Sequence, residues 1–208
     1  MIKVHPTVQP RSSQPQKPFD LSNIDSAEEA MVMPGADLWV GLVLGPLSGR
    51  VTVESAGQQL SYEMRQGRQK VVYTGTLNGE PFQLEGKPAN PRGIRLQGET
   101  AGGAVDSLRR GGGGGFGLDG EVGEVAFSQM LALDRSGGTS GSLAYLGGKL
   151  NGRELEARAR KGPDGTVLVE GKLGDQPLHQ TIKTGPTDEW IIQGQVGELA
   201  YTQVIERY

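Results

Sequence analysis

The residue types that could do acid–base or metal chemistry are scarce in this chain of 208 residues. It contains two histidines, His5 and His179, and no cysteine. Metal sites and Ser-His-Asp arrangements need several such side chains close together. His5 falls in a Pro-rich segment, and His179 falls on a predicted strand beside Gln180 and Thr181. We therefore interpret His179 as an exposed strand residue rather than a ligand or base.

Two carboxylates, Asp188 and Glu189, stand side by side just before Trp190. Adjacent side chains of an extended chain point to opposite sides, so the two do not form an acid–base pair. Asp is also an ordinary turn residue. An enzyme with its site in the loops would need His179, Asp188 or Glu189 to face a cleft, and this remains the third of three hypotheses for the function.

The sequence also lacks the complete motifs of a phosphate-binding or nucleic-acid-binding site. The stretch 137–141 has the composition of a phosphate-binding loop but lacks the Lys and the following helix of a P-loop, and 111–115 has no suitable context either. Aromatic residues make up 5% of the chain and the net charge is −3, which disfavours a nucleic-acid platform. We expect no catalytic residue, cofactor, metal or nucleic-acid partner.

A short pattern repeats seven times: apolar, any, apolar, any, Gly, any, apolar, and then a Gly turn. The copies start 20, 23, 22, 28, 23 and 23 residues apart, and a near-constant period indicates one supersecondary unit used repeatedly. The first copy, Val51-x-Val53-x-Ser55, is weaker because Ser55 stands in the Gly position. The six other copies start at Val71, Ile94, Phe116, Ala144, Val167 and Trp190.

Each copy is typical of a tight β-hairpin. Apolar and polar residues alternate along it, as in a strand with one buried face. Asn78-Gly79 and Asn151-Gly152 suit type I′ turns, whereas the turns that begin with Gly123, Gly174 and Gly197 suit type II′. The Gly in the middle of the pattern points to the buried face, where it either permits sharp curvature or leaves room for a bulky group.

The predicted fold class is all-β, an antiparallel up-and-down meander of about seven hairpins and therefore about 14 strands. About eight strands already make a barrel that side chains can fill, so a round barrel of 14 strands would be too wide. We expect the sheet to curve into a flattened barrel or a two-layer sandwich, or to divide into sub-lobes over residues 38–110 and 115–208.

The first 37 residues differ from the rest in composition. Pro, Gln, Ser and Lys are frequent there, which indicates an extended arm, with a possible short helix from Ser26 to Met33. The hairpin-repeat domain covers residues 38–208, and Leu38 to Leu44 could add a strand at its front. No apolar stretch approaches the ~20 residues of a membrane helix, and no signal peptide is recognisable. We expect no membrane association and take the cytoplasm as the default compartment.

Tyr73-x-Gly75-x-Leu77-Asn78-Gly79 resembles the opening of a MORN repeat, a hairpin unit of similar period. The resemblance covers one unit of seven and the second Gly-x-Gly of the motif is missing, so the lipid or partner binding that it implies is not carried over. The short turns and the final aromatic residue also resemble an outer-membrane barrel. Strands of about eight residues are shorter than the ~9–11 that such a barrel needs, and an aromatic girdle is absent.

These patterns favour a non-enzymatic structural or protein-interaction module whose N-terminal arm docks on a partner or a neighbouring subunit. A meander has edges that recruit strands, so the predicted partner-contact edges are Leu38, Val40, Leu199, Tyr201 and Ile205. The alternative is a carrier of a lipid or other small apolar ligand. In that case aromatic residues would line a cavity, and the candidates for this wall, or for an ordinary core, are Trp39, Tyr73, Phe116, Tyr145 and Trp190.

Overall fold

The structure, a computed structural model, describes residues 49–55, 57–66, 70–89, 93–112, 115–134 and 142–206, apart from the side chains at 66, 111, 112 and 116. The strands of the described residues are β1 Gly49–Ser55, β2 Gln58–Gln66, β3 Val71–Leu77, β4 Glu80–Ala89, β5 Gly93–Thr100, β6 Gly103–Gly112, β7 Gly115–Val122, β8 Val125–Leu133, β9 Ser142–Leu150, β10 Arg153–Lys161, β11 Val167–Leu173, β12 Gln176–Thr184, β13 Trp190–Val196 and β14 Leu199–Glu206. A 3-10 helix at Pro163–Gly165 separates β10 from β11.

These strands form one closed antiparallel barrel. Each strand pairs with its neighbours in sequence, and β14 pairs with β1 to close the sheet. The pairs β1–β2, β3–β4 and so on to β13–β14 are the seven hairpins, whose short turns all lie at one end of the barrel, the turn end. The prediction of an all-β meander of seven hairpins, curved into a barrel, is confirmed.

The turns have the backbone conformations that their residue types predict. Asn78 and Gly79 have φ angles of 53° and 87°, and Asn151 and Gly152 have 48° and 76°. Two successive positive φ angles define a type I′ turn, which matches the right-handed twist of the strands. The first turn residue has φ near 59° in the three turns that begin with Gly123, Gly174 and Gly197.

The first residue of a turn also joins its hairpin to the preceding one. The N–H of Asn78 donates to the carbonyl oxygen of Gln59 at 2.7 Å, and the N–H of Gly197 donates to that of Pro177 at 2.8 Å. The same bond forms at Gly123, Asn151 and Gly174. Each of these bonds satisfies a turn donor and fixes the stagger between neighbouring hairpins.

Alternate residues of the strands face the inside of the barrel and form its core. The buried apolar side chains make one cluster, and each of them is exposed by 9% or less. The inward apolar side chains are therefore almost completely covered.

The mid-strand glycines lie where neighbouring strands approach most closely. A Cβ atom on Gly75 would collide with the carbonyl oxygen of Ser61, and one on Gly171 would collide with that of Glu156. A Cβ atom on Gly194 would instead collide with the ring of Tyr201. The glycine at 194 therefore leaves room for a bulky group, one of the two predicted reasons, whereas those at 75 and 171 allow neighbouring backbones to approach closely.

The first hairpin matches the others once its turn is used for the alignment. Ser55 directly precedes the first turn and pairs with Gln58, just as Leu77 precedes the next turn and pairs with Glu80. Val53 is then the equivalent of Gly75, so it is Val53, and not Ser55 as predicted, that stands in the Gly position. With β1 starting at Gly49, the first repeat spacing becomes 22 residues.

The outer face of the barrel is polar and carries ion pairs between neighbouring strands. Lys70 lies 2.7 Å from Glu85, and hydrogen bonding and charge from Lys70 hold the pKa of the Glu85 carboxyl below its usual value. Arg95 has the same effect on the pKa of Asp106, mainly through its hydrogen bonds. Exposed pairs contribute only ~0–1 kcal/mol each. Further pairs are Arg50–Glu206, Arg110–Asp119, Arg160–Glu170 and Lys172–Glu156.

Closure of the barrel changes the meaning of the predicted contact edges. β14 pairs with β1 from Tyr201 to Glu206, and Tyr201 and Ile205 face the core with 3% and 0% exposure. The structure therefore contradicts Tyr201 and Ile205 as exposed contact residues, and Leu199, which is half-buried, pairs with Val196 of β13. β6 pairs with β7 across the predicted sub-lobe boundary. The arm over residues 1–37, its possible helix, and Leu38 and Val40 lie outside the described residues.

Candidate functional site

The residues predicted for a loop-based enzyme site do not form a common site. His179 is exposed on the outside of β12, opposite Glu170 of β11, as predicted. Asp188 and Glu189 lie in the connection between β12 and β13. The Glu189 carboxylate accepts hydrogen bonds from the Thr187 hydroxyl at 2.6 Å and the Thr187 N–H at 2.8 Å. These bonds hold the pKa of the Glu189 carboxyl below its usual value, and the bond from the Thr187 hydroxyl has the largest effect.

Neither a metal-binding cluster nor a membrane-spanning helix is found in the part of the chain that the structure describes. Within it, no group of three or more His, Asp or Glu residues could hold a metal ion. None of its helices is both long and apolar enough to cross a membrane. The Gly-rich stretch at 137–141 lies outside the described residues.

The predicted aromatic wall divides into residues inside and outside the barrel. Tyr73 and Trp190 are 4% exposed and belong to the core cluster. Tyr145, in contrast, is 41% exposed on the outside of β9, because it lies between the inward residues Ala144 and Leu146. The prediction of Tyr145 as a wall residue is therefore wrong. Trp39 and the side chain of Phe116 lie outside what the structure describes.

Three buried polar side chains lie inside the barrel, one on β12 and two on β14. The hydroxyl of Tyr201 donates a 2.8 Å hydrogen bond to Gln180 Oε1, and burial raises the pKa of Tyr201. The remaining amide atom of Gln180, Nε2, and both amide atoms of Gln203 are buried without a hydrogen-bond partner. Most buried polar groups in proteins are paired, so Gln203, with 0% exposure, is an unusual residue in this core.

An apolar face lies on the outside of three neighbouring strands of the barrel. We define it by Gly117, Met130, Ala132, Tyr145 and Gly147, which lie on the outside of β7, β8 and β9. Met130 is directly opposite glycine on both neighbouring strands, at Gly117 and Gly147, and is 56% exposed. Met130 and Tyr145 are the large hydrophobic side chains found exposed among the described residues. Exposed apolar side chains that cluster in this way mark contact surfaces.

Two grooves meet at Tyr145 on this face. One, of about 530 Å³, runs along β9, β10 and β11, and the other, of about 390 Å³, lies between the end of β8 and the start of β9. Arg158, directly opposite Tyr145, lines both grooves. Its guanidinium has no ion pair or hydrogen bond to any described residue, although its neighbours are paired, Arg160 with Glu170 at 2.9 Å and Lys172 with Glu156 at 3.3 Å.

The sequence contained a signal for this face that the prediction did not use. Gln129 and Leu131 alternate with Met130 in the sequence and are buried on the inside of β8, which places Met130 on the outside. The same alternation places Tyr145 outside β9. Arg158 lies directly opposite Glu170 of β11, but the Glu170 carboxylate binds Arg160 instead, and this choice has no sequence signal.

Comparison of this chain with known proteins gives no match to a family model, to a curated protein or to a solved structure.

Proposed function

We propose that this barrel is a non-enzymatic protein-interaction module that binds its partner through the apolar face. The observation that carries the proposal is the exposure of Met130 and Tyr145, the large hydrophobic side chains found exposed among the described residues, on the neighbouring strands β8 and β9. Met side chains adapt to partners of varied shape, and Tyr supplies rigid contact area with a polar tip. A closed barrel holds such a face in a fixed geometry.

The charge at the edge of the face indicates the chemistry of the partner. Arg158 lies opposite Tyr145 and has no carboxylate partner among the described residues. Its planar guanidinium can bind a carboxylate through two parallel hydrogen bonds. The partner segment therefore carries an apolar side chain for the grooves beside Tyr145 and an Asp or Glu side chain for Arg158.

The N-terminal arm is part of this proposal as a second contact. Its Pro-rich composition suits docking on a partner or a neighbouring subunit. Deletion of residues 1–23 is expected to weaken assembly while leaving the fold intact. An unchanged assembly mass and unchanged partner binding after this deletion would remove the arm from the proposal without affecting the apolar face.

Site-specific photo-crosslinking in cells tests the apolar face directly. A photoreactive phenylalanine at position 145 should give a protein adduct, whereas the same residue at position 193, an exposed outward position on β13 far from the face, should give none. The adduct should be lost with Met130→Ser and with Arg158→Glu. Lys183→Glu, an equal charge reversal at an exposed position of β12, is the matched control and should leave the adduct unchanged. Equal adducts at positions 145 and 193 would refute the proposal.

A further inference from the structure

The ladder between β14 and β1 closes the barrel. Its described pairs run from Arg50–Glu206 to Ser55–Tyr201. It also joins strands from opposite ends of the described chain. A contact between such distant segments closes a very long loop, which carries a larger entropic cost than a hairpin does.

The buried glutamine behind this ladder lacks the hydrogen bond that the equivalent glutamine of the β12–β13 ladder makes. In the β12–β13 ladder, Gln180 lies opposite Gly194, and the Tyr201 ring occupies the free space and binds the Gln180 amide. In the β14–β1 ladder, the equivalent glutamine is Gln203 and it lies opposite Val53. The valine fills the space that glycine leaves open at Gly194, and neither amide atom of Gln203 has a partner. A buried amide without partners lowers the stability of the state that buries it.

The turn end of the same ladder is also less well filled. The inward residue just before the turn of the first hairpin is Ser55, which pairs with Tyr201. A groove of about 490 Å³ lies here, lined by Ser55, Tyr201 and their neighbours on β1, β2 and β14. The equivalent residues of the other six hairpins are larger: Leu77, Thr100, Val122, Leu150, Leu173 and Val196.

We propose that the barrel opens at the β14–β1 ladder and that the two freed edges pair with those of a second copy of this chain. Opening here releases Gln203 from its unpaired burial. The partner that fits a freed β1 best is a β14 strand, because the same six residue pairs form in trans as in cis. Exchange of an identical element between copies is a low-cost route to a dimer, and an unpaired strand edge recruits such a partner.

Mixing two single-cysteine variants tests this exchange, because the natural chain contains no cysteine. Thr52 and Val204 are directly opposed on the outside of β1 and β14. Directly opposed Cβ atoms lie ~4.5–5.5 Å apart, close to the separation that a disulfide bridges. Thr52→Cys and Val204→Cys proteins, mixed at high concentration and oxidised, should form a disulfide-linked heterodimer.

The repeat supplies a matched control pair. Thr181 and Gln193 are the equivalent outward pair of the β12–β13 ladder. A mixture of Thr181→Cys and Gln193→Cys proteins should form at least tenfold less heterodimer, since that ladder stays closed. Gln203→Leu, added to both the Thr52→Cys and the Val204→Cys proteins, should lower their heterodimer yield by stabilising the closed β14–β1 ladder. Equal yields from the two mixtures, or a yield unchanged by Gln203→Leu, would overturn the proposal. The apolar face is not involved in either result.

Discussion

The ring of Tyr201 on β14 lies across Gly194 on β13, and its hydroxyl donates a 2.8 Å hydrogen bond to Gln180 Oε1 on β12. Two side chains separated by a whole strand can meet only because the residue between them has no side chain. The mid-strand glycine thus has a packing role here.

Replacement of Gly194 tests that packing role. Gly194→Ala places a methyl group where the Tyr201 ring lies, so we expect the free energy of unfolding to fall by ~1–3 kcal/mol. Gly117→Ala is the control, because a Cβ atom there meets nothing within 4 Å and Gly117 has no positive φ angle. Urea unfolding measures both variants. A control as unstable as Gly194→Ala would contradict this account of the glycine.

Tyr201→Phe should remove the hydrogen bond and leave Gln180 Oε1 buried without a donor. We expect a loss of ~1–3 kcal/mol in the free energy of unfolding at neutral pH. Burial raises the pKa of Tyr201 above its ordinary value near 10, so the folded state prefers the protonated phenol. The stabilisation is complete below pH ~10 and is lost as the pH rises above it. The decline in stability between pH 9 and 11 should be shallower in Tyr201→Phe, and an identical slope would refute the assignment.

Gln203→Leu and Gln180→Leu should change stability in opposite directions although they are equivalent positions of the repeat. Gln203→Leu removes two buried polar atoms that have no hydrogen-bond partner, so we expect the free energy of unfolding to rise by ~1 kcal/mol. Gln180→Leu removes the acceptor of the Tyr201 hydroxyl and should destabilise the barrel. Chemical denaturation of the two variants under identical conditions decides the matter, and a destabilised Gln203→Leu protein would show that the amide has a partner.

Native mass spectrometry tests the carrier alternative. The inward apolar side chains are almost completely covered, so we expect no bound apolar ligand and masses at integer multiples of 22.1 kDa. An additional mass of a few hundred daltons that disappears on denaturation would support the carrier in place of the interaction module.

Much of the fold could be predicted because hairpins are local. The Asn-Gly turns, the seven-fold period and the alternation along each strand involve residues close in sequence, and the structure contains all of them. The alternation even contained the outward position of Tyr145, which was assigned to the interior because it is aromatic. The first repeat was aligned on its motif, whereas its turn places Val53, and not Ser55, in the glycine position.

The sequence by itself determined the unit of this protein, a β-hairpin with glycine on its inner side, since turn conformation and side-chain alternation are set by neighbouring residues. Only the tertiary structure decided that β14 meets β1, because this pairing joins segments about 150 residues apart and leaves no periodic signal. Closure turned the predicted edges at Tyr201 and Ile205 into core. It also brought Gln203 opposite Val53, because this relation depends on which strands become neighbours in space.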